Sequence, residues 1–373
     1  MRTSQVNVGH GRAPRARWGA SPGVRASRAR FVPLLLALSV VPGEAVGEKA
    51  VSDKANFVQG ERLLKQGDID GALRAFTAAI RSAPRDPRGY YQRGVCHGRK
   101  DDAASAMADY RRALKLKGDF AEANNNLGAL LHEQGKTKEA QGYLRRAVRA
   151  KADYGEAWFN LGLVLYDMGR VGDAAKAYER AARLRPRDVD VHINLGAALR
   201  RAGDLDSAVR QLKMAVGLAP RDPMTRFNYG SLLMEKKRDR EASSQLAEAV
   251  KLDHKHLRAW HRLALVQARL GSFEEAARSM QRARRLAPTS AAVRCDLGKI
   301  YRKWGKVAKA MAEYRAALKL DPKYAKAHLL IGLAHAGEGR CRAARRAFAA
   351  FVRARRDLPP KTLEKLTGQC KRK

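Results

Sequence analysis

Mainly apolar side chains recur along this chain with a period of 34 residues, from Asp53 to residue 358. In each block of 34, positions 4, 7, 8 and 11 have the spacing of one face of an α-helix. Positions 20, 24 and 27 have the same spacing on a second helix. Nine blocks follow one another without insertion or deletion. The pattern therefore predicts nine pairs of helices, which we name A and B in each block.

Small residues hold fixed places in this period. Position 20 is Ala in all nine blocks, and position 8 is Gly in eight of them, with Ala264 as the exception. Two small positions predict that the helices of a pair approach closely there. Position 15 is Gly in seven blocks, which predicts a left-handed residue at the end of helix A. Pro at position 32 of five blocks predicts the end of helix B.

The fourth block shows the full pattern, with the spacing W-x-x-L-G-x-x-L from Trp158 to Leu165, then Ala174 and Pro186. This pattern resembles the tetratricopeptide repeat. The resemblance covers residues 53–358. It implies an all-α fold, a right-handed α-α superhelical solenoid of nine repeats with helices A on the concave side. It is specific for the fold and much less specific for a function.

The two ends of the chain fall outside the repeats. Residues 1–45 carry seven Arg and no Lys, followed near their end by the apolar run FVPLLLALSVV. Eleven apolar residues are too few to span a bilayer but typical of a signal-peptide core. Residues 46–52 are predicted to be a linker. Residues 359–373 are predicted to be a capping helix and a basic tail, because the last repeat needs a polar cover.

A signal peptide predicts an exported protein, periplasmic or secreted, with membrane contact only through residues 1–45; an uncleaved anchor is the alternative. Disulfides form in such compartments. Cys341 opens helix B of repeat 9, and Cys370 would lie near the same end of the next helix, so the two are predicted to be within disulfide range. Two unrelated free thiols are the alternative. Cys96 is interpreted as a small buried hydrophobe.

Asn recurs at position 6 in repeats 3 to 6, where packing alone does not require an amide. These residues are Asn126, Asn160, Asn194 and Asn228. Position 6 is predicted to lie with positions 2, 5, 9, 12 and 13 on the concave face, where exposed amides would bind a peptide backbone. Similar asparagine ladders bind peptide backbone in the repeat domain of O-GlcNAc transferase. Replacing the four by Ala should then weaken peptide binding and cost little stability, unless Asn is only a common consensus residue.

The formal net charge is +38, and the charges on the predicted concave face are separated by sign. Repeats 3 to 5 place acids there: Glu122, Glu133, Glu156, Asp167 and Asp190. Repeats 7 to 9 place bases there: Arg258, Arg262, Arg269, Lys299, Arg302, Lys303 and Lys326. The basic part is predicted to bind an acidic segment or a terminal carboxylate.

Chaperone-binding relatives use a carboxylate clamp that this chain matches only in part. Asn228, Arg258 and Arg262 occupy three of its positions. Ile193 and Ala197 stand where its Lys and second Asn belong, which argues against the binding of a chaperone tail.

Sequence motifs for catalysis are absent. The chain has no phosphate loop, no dinucleotide turn and no Cys or His spacing typical of zinc sites, so neither a cofactor nor a metal is predicted. We therefore predict a non-enzymatic scaffold that binds an extended peptide or protein segment, with no small-molecule substrate. The alternative is a basic groove that binds an anionic polymer or nucleic acid. Aromatic residues do not alternate with the Arg and Lys residues of this face, so stacking on nucleobases is not supported. The predicted export also argues against nucleic acid.

Overall fold

The computed structural model describes residues 48–355 and 362–368, with side chains from residue 55 to 355 and from 363 to 368. The regular structure of this part of the chain is α-helical, and helices A and B alternate with the predicted period. The predicted signal peptide, residues 1–45, lies outside the described residues, as does Cys370.

Apart from the first helix, helices A and B differ little in length from one repeat to the next. The helices A are α1 Glu48–Gln66, α3 Pro87–Arg99, α5 Ala121–Glu133, α7 Gly155–Asp167, α9 Val189–Ala202, α11 Pro223–Glu235, α13 Leu257–Arg269, α15 Ala291–Lys303 and α17 Ala325–Gly337. The helices B are α2 Ile69–Ser82, α4 Ala103–Leu116, α6 Thr137–Ala150, α8 Val171–Leu184, α10 Leu205–Leu218, α12 Asp239–Leu252, α14 Phe273–Leu286, α16 Val307–Leu320 and α18 Cys341–Ala354. A short helix, α19 Thr362–Gly368, packs against α18.

The first helix is longer than expected. It has 19 residues, whereas most other helices A have 13. The prediction of a linker over residues 46–52 is therefore wrong from Glu48 onwards. The reason is local: no Pro or Gly occurs between Glu48 and Gln59, and the segment is rich in good helix formers. None of the described helices combines the length and the apolar character needed to cross a bilayer.

The described helices form two compact units, the first from α1 to α10 and the second from α11 to α19. In each unit, helix B packs against helix A of its own repeat and of the next repeat, and several pairs of consecutive helices A also contact one another. The Ala at position 20 is buried in every repeat, with at most 1% exposed. This burial confirms the close approach of helices A and B that the small residues predict.

The turn between helices A and B has one backbone conformation throughout the described repeats. The Gly residues at position 15 have φ between +73° and +92°. Repeats 2 and 6 have Asp101 and Lys237 there, and both are also left-handed, with φ of 59° and 58°. The turn geometry is therefore kept even where a side chain makes the left-handed conformation sterically unfavourable.

Position 4 supplies a second fixed contact, which the apolar pattern does not show. In seven repeats its side chain donates a hydrogen bond to the carbonyl oxygen six residues earlier, at position 32 of the preceding block. The donors are Tyr90, Asn124, Trp158, His192, Arg226, Trp260 and His328, at donor–acceptor distances of 2.7 to 3.3 Å. These bonds satisfy a carbonyl in the turn between repeats.

Candidate functional site

The Asn residues at position 6 do not form an exposed ladder. Asn126 and Asn194 are buried, with 2% and 1% exposed, whereas Asn160 and Asn228 are half-buried. The expectation of exposed side chains is wrong for Asn126 and Asn194. The physical reason is local: Asn126 lies beside the buried hydroxyls of Tyr91 and Tyr110, and the amide of Asn194 turns back to donate to the carbonyl of Asp190 at 2.8 Å.

In the first unit, the amides of repeats 3 and 4 bond to each other. Asn160 Nδ2 donates to Asn125 Oδ1 at 2.9 Å. Asn125 Nδ2 lies 3.2 Å from Asn126 Oδ1 and 3.3 Å from the hydroxyl of Tyr154. Asn126 Nδ2 lies 3.5 Å from the hydroxyl of Tyr110. Asn125, at position 5, was missed from the sequence although the run Asn124-Asn125-Asn126 marks it.

Asn126→Ala is expected to destabilise the first unit by about 1 to 3 kcal/mol, because it leaves buried hydrogen-bonding groups without a partner. Asn228→Ala, the same change at a half-buried site, is expected to cost less than about 1 kcal/mol. Urea unfolding followed by circular dichroism measures both. Equal effects of the two substitutions would contradict the difference in burial.

The acidic residues of the first unit are largely engaged. Glu122 lies 3.4 Å from the ammonium group of Lys151, and Asp167 accepts a 2.8 Å hydrogen bond from His132. Glu156 is buried. Burial, with a smaller contribution from Glu122, raises the pKa of the nearby Tyr91 hydroxyl well above its usual range. This side of the first unit is therefore polar and acidic, with Glu156 buried and Glu122 paired, while Glu133 and Asp167 remain exposed.

The basic residues of the second unit lie on α13, α15 and α17. Arg258 is exposed, and its guanidinium lies 5.2 Å from the centre of the Phe227 ring. Arg302 and Lys303 are exposed at the end of α15, while Arg262 and Lys299 are half-buried. These five residues, together with Lys326, are called the basic inner surface below.

Arg269 does not belong to that surface. Its Nη1 donates to the carbonyl of Met234 at 3.3 Å and lies 3.3 Å from a carboxylate oxygen of Asp239. Arg99 and Arg201 stand at the same position 13 and donate to the corresponding carbonyl of the preceding repeat. Arg269 thus has a structural role, the capping of the preceding helix A, and its binding of a ligand stays a prediction.

Asp296 is the central residue of the second unit that the sequence reasoning missed. It occupies position 6 of repeat 8 and is 9% exposed. Its Oδ2 lies 2.9 Å from His261 Nε2, and its Oδ1 lies 3.1 Å from Lys299 Nζ and 3.2 Å from Lys326 Nζ. Burial alone would raise the pKa of Asp296, but the hydrogen bond from His261 and the two lysine charges hold it well below its usual range.

The cysteines fall into two groups. Cys96 and Cys295 are free and fully buried, which confirms the interpretation of Cys96. Burial raises the pKa of the Cys96 thiol to about 12 and that of Cys295 to about 11. Cys341 is disulfide-bonded. Its pairing with Cys370 stays a prediction, because Cys370 lies outside the described residues.

Family models for the tetratricopeptide repeat match residues 57–119, 119–187, 159–223, 257–290 and 298–339. This chain is a tetratricopeptide repeat protein. Proteins of this family are interaction scaffolds that bind protein partners, and the family is generally non-enzymatic. Within the described residues, no group of three or more His, Cys, Asp or Glu side chains is placed to hold a metal ion.

Two curated relatives illustrate the similarity. DnaJ homolog subfamily C member 3 of Rattus norvegicus is 31% identical over 123 residues, which are 32% of this chain and 24% of the relative. The heat shock protein sti1 homolog of Schizosaccharomyces pombe is 34% identical over 73 residues, 19% of this chain and 12% of the relative. This tetratricopeptide repeat chain thus spans a quarter or less of the length of these relatives.

Among solved structures, the PilF protein of Pseudomonas aeruginosa has a TM-score of 0.50 at 20% identity, over 56% of this chain and 94% of that one. At this identity the likeness supports the tetratricopeptide solenoid fold alone.

Proposed function

We propose that this chain is a non-enzymatic, exported scaffold that binds an extended protein segment, and that the basic inner surface binds an acidic part of that segment. The observation that carries the proposal is the charge of helices α13, α15 and α17. These three helices contain eight Arg or Lys residues and a single acid, Asp296. Cations that are oriented on a folded scaffold attract and align carboxylates of a partner.

The half-buried amides of Asn160 and Asn228 support a weaker part of the proposal. Each retains some exposure, so each can reach a peptide backbone that passes over its helix A.

Export rests on the signal-like segment of residues 1–45. It is tested by N-terminal sequencing of the protein recovered from the cell envelope or medium; an intact N-terminus on protein recovered from the cytoplasm would refute it.

The triple variant Lys299→Gln, Arg302→Gln, Lys303→Gln is expected to weaken binding of an acidic peptide by about tenfold, because each lost charge contact is worth a few tenths to one kcal/mol. The matched control is Lys309→Gln, Arg315→Gln, Lys319→Gln, which removes two Lys and one Arg that are exposed on α16. The probe is a fluorescein-labelled peptide of six glutamates, and fluorescence anisotropy measures its affinity at low salt.

The control variant should keep most of the wild-type affinity, and a peptide of six glutamines should not bind. Equal losses in the two triple variants would mean that only net charge matters. A single-stranded oligonucleotide that binds the full chain more tightly than the glutamate peptide would favour the alternative function, a surface for anionic polymers.

A further inference from the structure

The carboxylate of Asp296 lies where three consecutive helices A meet. His261 comes from α13, Lys299 from α15 and Lys326 from α17, and all three side chains converge on the two oxygens of Asp296. Both ammonium groups are directed to the same oxygen, Oδ1. A single negative charge thus holds two positive charges together in the middle of the basic inner surface.

The repeat register shows that this acid is a local departure from the pattern. Repeats 3 to 6 carry Asn at position 6, and repeat 8 carries Asp296. An Asn at this site would fill the same space, accept from the two lysines through Oδ1 and donate from Nδ2 to an unprotonated Nε2 of His261, so packing does not require the charge. The charge is therefore expected to act on the neighbouring cations rather than on the fold.

Asp296 and the two lysines differ in their access to solvent. The side chain of Asp296 is 12% exposed, whereas those of Lys299 and Lys326 are 36% and 42% exposed. The flexible lysine side chains can turn their ammonium groups outward to an incoming anion. The short side chain of Asp296 cannot follow them, and His261 holds its other oxygen at 2.9 Å.

We propose that Asp296 is a resident counter-ion that occupies the anion position of the basic inner surface and competes with the carboxylates of the bound segment for Lys299 and Lys326. This inference rests on the proposed function. A ligand carboxylate then has to draw the lysines away from Asp296, which weakens the binding of weakly charged segments. Asp296 thereby sets how acidic a segment must be to bind.

The variant Asp296→Asn is expected to bind the peptide of six glutamates about fivefold more tightly than the wild type, because the full negative charge that competes for Lys299 and Lys326 is removed. The matched control is Glu313→Gln. Glu313 is an equally buried carboxylate of the second unit, held by Arg284 and Arg294 instead of by the basic inner surface. The substitution Glu313→Gln changes the net charge by the same amount as Asp296→Asn.

Full-length wild type, Asp296→Asn and Glu313→Gln are compared by fluorescence anisotropy, after circular dichroism has shown equal helix content. A gain of affinity in Asp296→Asn that is clearly larger than the gain in Glu313→Gln supports the inference. Adding Lys299→Gln and Lys326→Gln to Asp296→Asn should abolish that gain.

The possible failures are distinguishable. If the wild type binds the peptide and Asp296→Asn binds it equally or more weakly, Asp296 only orients the lysines, and the inference is overturned while the proposed function stands. If neither protein binds the peptide, the proposed function fails and the inference fails with it.

Discussion

Gly298→Ala is expected to lower the free energy of unfolding of the second unit by about 2 kcal/mol, although Ala is the better helix former. A Cβ at this position would clash with Cε1 of Tyr314 and would lie 2.7 Å from Cδ1 of the same ring and 3.1 Å from the carbonyl oxygen of Ala310. Tyr314 and Ala310 are fully buried, so neither can move away without repacking. Overpacking of this kind costs about 1 to 3 kcal/mol.

The control is Gly142→Ala, in the interior of α6, where an added Cβ meets no atom within 4 Å. There the substitution should stabilise the protein by about 0.5 to 1 kcal/mol, because Gly is the less favourable helix residue. Urea unfolding of the two variants beside the wild type gives both values. A stabilised or unchanged Gly298→Ala variant would show that helices A and B separate freely.

Repeat 7 indicates how the clash at Gly298 can be relieved. It has Ala264 at position 8, and the residue opposite, at position 24, is Met280 in place of an aromatic ring. Both are buried without any exposed surface. Met is flexible and fills irregular space. In a double-mutant cycle, Tyr314→Met should therefore recover part of the stability that Gly298→Ala loses.

The sequence was sufficient for the fold wherever one position accepts a single kind of residue. The close approach at positions 8 and 20 admits only Gly or Ala, and the left-handed turn at position 15 strongly favours Gly, so both appear as identities at a fixed period. Asp101 and Lys237 interrupt that identity, yet the backbone there stays left-handed. The surrounding helix pair thus imposes the turn even where the residue does not favour it.

Other contacts were hidden because several residue types satisfy the same physical need. Position 4 carries Tyr, Asn, Trp, His or Arg, and each of these supplies the donor for the carbonyl at position 32. No residue identity marks that role, and the apolar pattern assigned the position to packing. The signal that was available is that a donor occurs at position 4 in every one of these repeats.

The candidate site was predicted less well than the fold, because its contacts join different positions of neighbouring repeats. Asn125 bonds to Asn160, and His261 bonds to Asp296, each across 35 residues from position 5 to position 6. A comparison of identical positions at a spacing of 34 does not pair these residues. Reading the sequence at a spacing of 35 as well would have paired Asp296 with His261 and Asn125 with Asn160.

Cys341→Ser is expected to lower the free energy of unfolding of the second unit by about 3 to 4 kcal/mol, if the wild-type bond joins Cys341 to Cys370. Such a bond closes a loop of about 30 residues, which restricts the unfolded chain. The loop contains α19, which packs on α18 at the end of the last repeat, with Leu363 and Leu366 half-buried and Glu364 exposed. The disulfide would therefore fix the helix that covers the end of the solenoid.

Reductant supplies the control for this prediction within the same protein. Dithiothreitol should lower the urea midpoint of the wild type to that of Cys341→Ser and should leave the variant unchanged, since Cys96 and Cys295 are free in both. Thiol counting on unreduced, denatured wild type should find two thiols, with Cys341 and Cys370 in one cross-linked peptide. Four thiols would rule out the disulfide between Cys341 and Cys370. Because such bonds persist in oxidising compartments, two thiols in freshly isolated protein would also support the proposed export.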